Sequence, residues 1–183
     1  MTLQNSNSSR GRNPISRTSK SSIIAKGAIL TTLALIFTYV EFLIPYSTGI
    51  PGVKLGLANL VIIFAVYHMG AKESLTINLV RILIAGLLFS GLFGAMYSLA
   101  GGLLSLAVML LLKKTGAFSM IGVSMAGGVF HNLGQLLIAS FLVSNLKMFV
   151  YFPILLFSGL ASGIAIGIAA YIIDQKIPQH LKG

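Results

Sequence analysis

The chain has 183 residues, of which 56% are of apolar types and only 9% are charged. It contains 13 Lys and Arg, 3 Asp and Glu, and neither Cys nor Trp. A soluble domain typically carries about 25% charged residues, and so few charges cannot cover its surface. The composition therefore excludes a soluble globular domain, a disulfide framework and a cysteine-based zinc site. A polytopic all-α membrane protein remains.

The first 22 residues differ in composition from the rest of the chain. Residues 1–22 are rich in Ser and Arg and contain almost no large apolar side chains. Such a segment cannot bury enough surface to fold. We therefore predict a disordered basic tail over 1–22, followed by a transmembrane domain over 23–183.

Six apolar stretches follow the tail, separated by Pro, Gly and charged residues. A helix needs about 20 apolar residues to cross a bilayer, and the second stretch is short for a span. The sequence predicts a six-helix transmembrane bundle with both termini on one side. The predicted spans are 27–44, 55–69, 74–89, 95–112, 120–143 and 149–173.

The basic residues are distributed unevenly between the two predicted sides. With the N-terminus inside, ten of the 13 Lys and Arg lie on the cytoplasmic side, and Lys54 and Lys147 lie outside. Cytoplasmic loops carry an excess of Lys and Arg, so we expect cytoplasmic termini. The net charge of +10 then reflects topology and attraction to anionic lipid, and nucleic acid is not an expected partner.

Arg81 is the remaining basic residue and lies near the middle of the third predicted span. A central Arg costs about 2.5–3.5 kcal/mol to insert, and it usually faces a cavity or an internal partner. Asn78 shares its helical face. Two compatible interpretations stay open: Arg81 binds an anionic or carbonyl-bearing ligand, or it pairs with Glu41, the carboxylate placed in a predicted span.

Three polar side chains, His131, Asn132 and Gln135, fall near mid-depth of the fifth predicted span. They form either the wall of a binding pocket or interhelical hydrogen bonds, which contribute around 0.6 kcal/mol each in membrane bundles. We favour the pocket, because three polar groups within two turns exceed what packing requires. No metal site or cofactor is expected, because the His residues lie on separate elements without nearby carboxylates.

Two further segments carry candidate functional residues. The Pro- and Gly-containing segment before the second span includes Lys54, and Asn59 follows it. This segment is either a cap over a ligand site or an ordinary surface loop. Glu41 and Tyr97 are further candidates for the same pocket.

Several segments of the sequence resemble segments of known membrane proteins. The run P-G-V-K-L-G-L-A-N-L, with the Arg-bearing helix after it, resembles the substrate-binding S components of energy-coupling factor (ECF) transporters. The segments Y-S-L-A-G-G-L-L-S-L and G-G-V-F-H-N-L-G-Q-L-L-I-A-S are similar to the family called heptaprenyl diphosphate synthase component I, or Gx transporters. The resemblance covers about residues 25–175.

The S-component resemblance implies six helices around a pocket that opens outward and is capped by the first external loop. It also implies docking onto a transmembrane coupling subunit with two cytoplasmic ATPases. Small residues on the first helix would make that contact, although Thr replaces the usual Ala: Gly27, Ala28, Thr31 and Thr32. Because the chain has no G-x-x-x-x-G-K-[S/T] loop, the energy of ATP would come from the partners.

The synthase name implies different chemistry, in which two D-D-x-x-D motifs hold magnesium and diphosphate. The chain has one Asp, Asp174, and cannot build such a motif. We therefore expect no enzyme activity. The expected function is a substrate-binding subunit of an ECF-type importer for a vitamin-like or isoprenoid-related molecule in a bacterial cytoplasmic membrane. The alternatives are a non-catalytic membrane subunit of prenyl diphosphate or quinone synthesis, and a transporter that acts alone.

Overall fold

The computed structural model describes residues 15–44 and 56–177, and these residues form helices joined by short turns. The predicted all-α class is confirmed. A π-helical segment covers Gly86–Ser90, and a 3₁₀ segment covers Leu146–Tyr151. The α-helices are α1 Ile15–Leu43, α2 Leu57–His68, α3 Ala71–Ala85, α4 Gly91–Thr115, α5 Met120–Val143 and α6 Phe152–Lys176.

The start of α1 differs from the predicted domain boundary at residue 23. The helix begins at Ile15, within the predicted tail, and the division of the chain into a tail and a transmembrane domain stays a prediction. Residues 1–14, as well as Lys54 in the predicted capping segment, lie outside the described residues.

Among the described residues, four helical stretches are long and apolar enough to cross a membrane: Lys20–Leu43, Ala71–Thr115, Met120–Val143 and Leu146–Lys176. The fifth predicted span, 120–143, coincides with α5. By contrast, α2 has 12 residues and is about 18 Å long, too short to cross a bilayer without tilt or distortion. The structure therefore supports a multi-pass membrane protein, while the count of six spans and the side of the termini stay predictions.

The 45-residue stretch Ala71–Thr115 is a hairpin rather than one straight rod. Gly91 has a φ of 66°, which interrupts the helix after the π-helical segment. The side-chain amide of Asn78 donates a hydrogen bond to the carbonyl oxygen of Gly102 at 3.1 Å. A straight helix would separate these residues by about 36 Å. The chain therefore reverses near Gly91, and α4 packs back against α3.

The short helix α2 lies at the centre of the described fold. It contacts each of the five other labelled helices. Ile62, Ile63 and Val66 are almost fully buried and pack in one apolar cluster with Leu106 and Val123. A helix that is apolar on all sides is stable only when it is enclosed on all sides. Because α2 is enclosed, the surrounding helices pack around one apolar core.

Glycines bring α5 and α6 into backbone contact. A Cβ added at Gly163 would lie 2.7 Å from Cα of Met125 and 2.8 Å from the carbonyl oxygen of Ser124. A Cβ added at Gly167 would similarly meet Cα of Ile121 at 2.8 Å. Small residues at helix interfaces allow this close approach, which is the main source of van der Waals contact between helices in a bilayer.

Candidate functional site

Polar side chains from several helices converge on one small cavity of about 40 Å³. This volume holds roughly three water molecules. Every labelled helix contributes to the lining, and most of the lining side chains are polar. The lining consists of Thr38, Glu41, Gly56, Ala58, Asn59, Arg81, Ser98, Gly128, His131, Asn132, Gln135 and Ser162.

Arg81 lines the cavity from α3 with only 6% of its surface exposed. Its Nη2 donates to Oδ1 of Asn78 at 2.7 Å. Its Nε has no hydrogen-bond partner within the described ranges. Asn78 does not line the cavity; it is buried behind Arg81 and links the guanidinium group to the backbone of Gly102. One donor of Arg81 is thus held in place and another is left unused.

Glu41 lines the same cavity from α1, but it forms no ion pair within 4.0 Å of Arg81 in the part of the chain that the structure describes. The two charges are near enough to interact electrostatically. Glu41 Oε1 accepts a hydrogen bond from the backbone N–H of Leu57 at 2.8 Å. The carboxylate therefore satisfies one of the free amides at the N-terminus of α2 and ties α1 to α2.

The polar cluster of α5 is divided between the cavity and the neighbouring helix. Asn132 Nδ2 donates to the carbonyl oxygen of Leu155 on α6 at 2.8 Å. Gln135 is 8% exposed, and its Oε1 has no hydrogen-bond partner among the described residues. His131 also lines the cavity. One amide of this cluster, that of Asn132, therefore joins two helices, and the other, that of Gln135, has an unused acceptor at the cavity.

The other candidate residues predicted from the sequence differ in where they lie relative to the cavity. Asn59 lines the cavity at the first turn of α2. Tyr97 is partly buried on α4, and the lining does not include it. The predicted cap through Lys54 lies outside the described residues.

Sequence reasoning missed three hydroxyl side chains of the lining, Thr38, Ser98 and Ser162. Thr38 Oγ1 donates to the carbonyl oxygen of Ala34, and Ser162 Oγ donates to that of Gly159. A hydroxyl that bonds to its own helix costs little in an apolar span, so it does not look anomalous in a sequence. The one available signal was the position of Thr38, one turn before Glu41.

The four predicted docking residues of α1 face different surroundings. Ala28 and Thr32 are exposed, whereas Gly27 and Thr31 are partly buried. The hydroxyls of Thr31 and Thr32 donate to the carbonyl oxygens of Gly27 and Ala28, at 2.8 Å and 3.0 Å. Because these bonds satisfy the threonine hydroxyls, the pairs Gly27/Thr31 and Ala28/Thr32 each present a small and largely apolar surface.

Apolar helices of spanning length around a buried polar cavity define a multi-pass α-helical membrane protein. The family model for heptaprenyl diphosphate synthase component I matches residues 30–173, so the chain belongs to that family. The resemblance seen in the sequence is thus confirmed for this family. The matched range contains every residue of the cavity lining. No curated protein and no solved structure matches the chain.

Proposed function

We propose that the chain is the integral membrane substrate-binding subunit of an ECF-type importer for a small vitamin-like or isoprenoid-related molecule. The observation that carries the proposal is the buried cavity with its unused hydrogen-bonding groups at Arg81 and Gln135. A polar group buried without a partner costs about 1–3 kcal/mol, and more when it is charged. A ligand that satisfies these groups would recover that free energy.

The proposed roles follow from the side-chain chemistry. Arg81 binds an anionic or carbonyl group of the ligand, and Asn78 holds the guanidinium group in position. Asn59, His131 and Gln135 orient the ligand by hydrogen bonds. Asn132, already bonded to α6, fixes one wall. Lys54 and its segment cap the site from outside.

The proposal also includes a topology and a location. The chain crosses a bacterial cytoplasmic membrane six times, with both termini in the cytoplasm. In this arrangement the hairpin at Gly91 provides the third and fourth crossings, and the short helix α2 provides the second. The excess of Lys and Arg in the cytoplasmic segments supports the orientation.

Transport by this subunit requires partners that hydrolyse ATP. We place the contact with a transmembrane coupling subunit on the exposed side of α1, at Ala28 and Thr32. Their small size lets another helix approach closely, and their hydrogen-bonding groups are satisfied within α1. The coupling subunit would in turn carry two cytoplasmic ATPases.

Affinity purification from the native membrane tests the proposal. The tagged chain should retain a coupling subunit and two ATPases, identified by mass spectrometry. Ala28→Leu should reduce this association at least about tenfold by blocking close helix approach. Ala161→Leu, at an exposed position on α6, is the matched control and should retain the partners. Absence of ATPase partners from wild-type preparations would contradict the importer.

A second candidate function is supported by the family name, heptaprenyl diphosphate synthase component I. In this alternative the chain is a non-catalytic membrane subunit that recruits a soluble synthase to the lipid phase. Prenyl-chain synthesis in reconstituted membranes would then depend on the chain. If synthesis is equal with and without it, the alternative fails.

A further inference from the structure

The charge balance of the cavity limits the chemical class of its ligand. Arg81 supplies one positive charge and Glu41 one negative charge, and the other described lining side chains are neutral when His131 is neutral. The two charges face the same cavity without forming an ion pair in the described structure. Such a lining has little net charge but a strong internal dipole.

The free hydrogen-bonding positions are also of opposite kinds. Arg81 keeps Nε–H as an unused donor, since Nη2 is already bonded to Asn78. Gln135 keeps Oε1 as an unused acceptor. Both side chains are more than nine-tenths buried. A matching ligand therefore presents an acceptor to Arg81 and an N–H or O–H donor to Gln135.

A prenyl diphosphate does not match this lining. Its head group carries several negative charges at neutral pH, while the described lining offers one cation with a carboxylate nearby. An unbalanced anion in a buried site carries a large desolvation cost. No cluster of three His, Asp or Glu side chains that could hold a balancing metal ion occurs in the described ranges.

We infer that the described lining, in which Lys54 of the proposed cap is not counted, selects a small polar ligand that is zwitterionic or net neutral, with its acceptor at Arg81 and its donor at Glu41 and Gln135. This inference rests on the proposed function, because it concerns the same site. It narrows the isoprenoid-related part of that proposal to compounds without a phosphate group.

Ligand-induced protection against heat tests the inference on the purified full-length protein. After heating, the monodisperse fraction is measured by gel filtration, since the chain has no Trp or Cys to report unfolding. The probes are the standard amino acids, nicotinamide, inorganic diphosphate and geranyl diphosphate. A zwitterionic or neutral probe should raise the midpoint temperature in a concentration-dependent way.

Glu41→Gln tests whether the carboxylate selects the ligand. This change removes one negative charge from the lining, so the apparent affinity for the protecting probe should fall at least about tenfold. Lys72→Gln, at an exposed position on α3, is the charge-changing control and should leave the affinity unchanged.

The outcomes separate this inference from the proposed function. Protection by inorganic diphosphate or geranyl diphosphate, lost in Arg81→Gln, would overturn the inference while leaving a binding subunit intact. Protection by none of the probes would also overturn it. In both cases the association with ATPase partners decides the proposed function independently.

Discussion

Arg81 Nη2 donates a hydrogen bond to Oδ1 of Asn78, one turn earlier on α3, at 2.7 Å. Nδ2 of the same amide donates to the carbonyl oxygen of Gly102 on α4 at 3.1 Å. One buried amide therefore holds the intramembrane cation and joins the two arms of the hairpin. This link explains how an Arg can remain fixed in an apolar helix while part of its guanidinium group is left for a ligand.

Asn78→Ala should lower both stability and ligand binding. The change leaves the Gly102 carbonyl and Arg81 Nη2 without their partner, which should cost about 1–3 kcal/mol of stability. The measurement is the temperature at which the monodisperse protein is lost on gel filtration. Thr76→Ala is the control on the same helix, since Thr76 is exposed and its hydroxyl donates to the carbonyl oxygen of Lys72 within that helix. Equal midpoints for the two variants would contradict the proposed link.

Variants of Glu41 should distinguish a helix-capping carboxylate from a structural partner of Arg81. Glu41→Ala removes the acceptor for the N–H of Leu57 and should cost about 0.5–2 kcal/mol. Glu41→Gln keeps an oxygen acceptor and should be closer to the wild type in stability. If Glu41→Gln, Glu41→Ala and Arg81→Ala all fail to accumulate in the membrane, Arg81 and Glu41 form a structural ion pair instead.

Gly163→Ala should destabilise the contact between α5 and α6. The added methyl group would overlap backbone atoms of Met125 and Ser124, and neither can move aside without shifting α5. We expect a loss of about 1–3 kcal/mol, typical of overpacking. Gly122→Ala is the matched control, because its nearest neighbours lie at 3.7 Å, an ordinary contact distance. A Gly163→Ala protein as stable as Gly122→Ala would show that this interface is looser than described.

Asp174→Asn should lower the stability of the protein only slightly. Asp174 pairs with Nε2 of His68 at 2.8 Å and joins the ends of α6 and α2. The pair is partly exposed, so its loss should cost no more than about 1 kcal/mol. Binding of a protecting probe should be unchanged, because neither residue lines the cavity. Loss of probe binding in a stable Asp174→Asn protein would place this aspartate in the functional mechanism.

The hydropathy pattern predicted which stretches of the chain are helical better than it predicted where each helix begins and ends. The fifth span was predicted at its observed bounds, and Ser119 caps its start, where it accepts a hydrogen bond from the N–H of Gly122. The helix α1 begins before the first predicted span, since composition describes burial and does not exclude a solvated helix. The reversal at Gly91 falls between the third and fourth predicted spans, but the link from Asn78 to Gly102 depends on tertiary packing.

The cavity was partly predictable because buried charges and amides stand out in an apolar sequence. Glu41, Asn59 and Arg81 were recognised in this way, and the structure brings them to one cavity with the polar cluster of α5. Tyr97 was expected there but is not part of the lining, since its helical face could not be assigned from spacing alone. The hydroxyl groups of Thr38 and Ser162 were missed because they bond within their own helices.

The most direct test of the central claim is the small-molecule content of the purified protein. Wild type, Arg81→Gln and the control Lys72→Gln are purified at equal amounts, and the molecules released on denaturation are identified by mass spectrometry. We predict that wild type and Lys72→Gln release the same compound and that Arg81→Gln releases at least about tenfold less of it. Equal release from a monodisperse Arg81→Gln protein, or no bound compound in the wild type, would contradict a ligand site at Arg81.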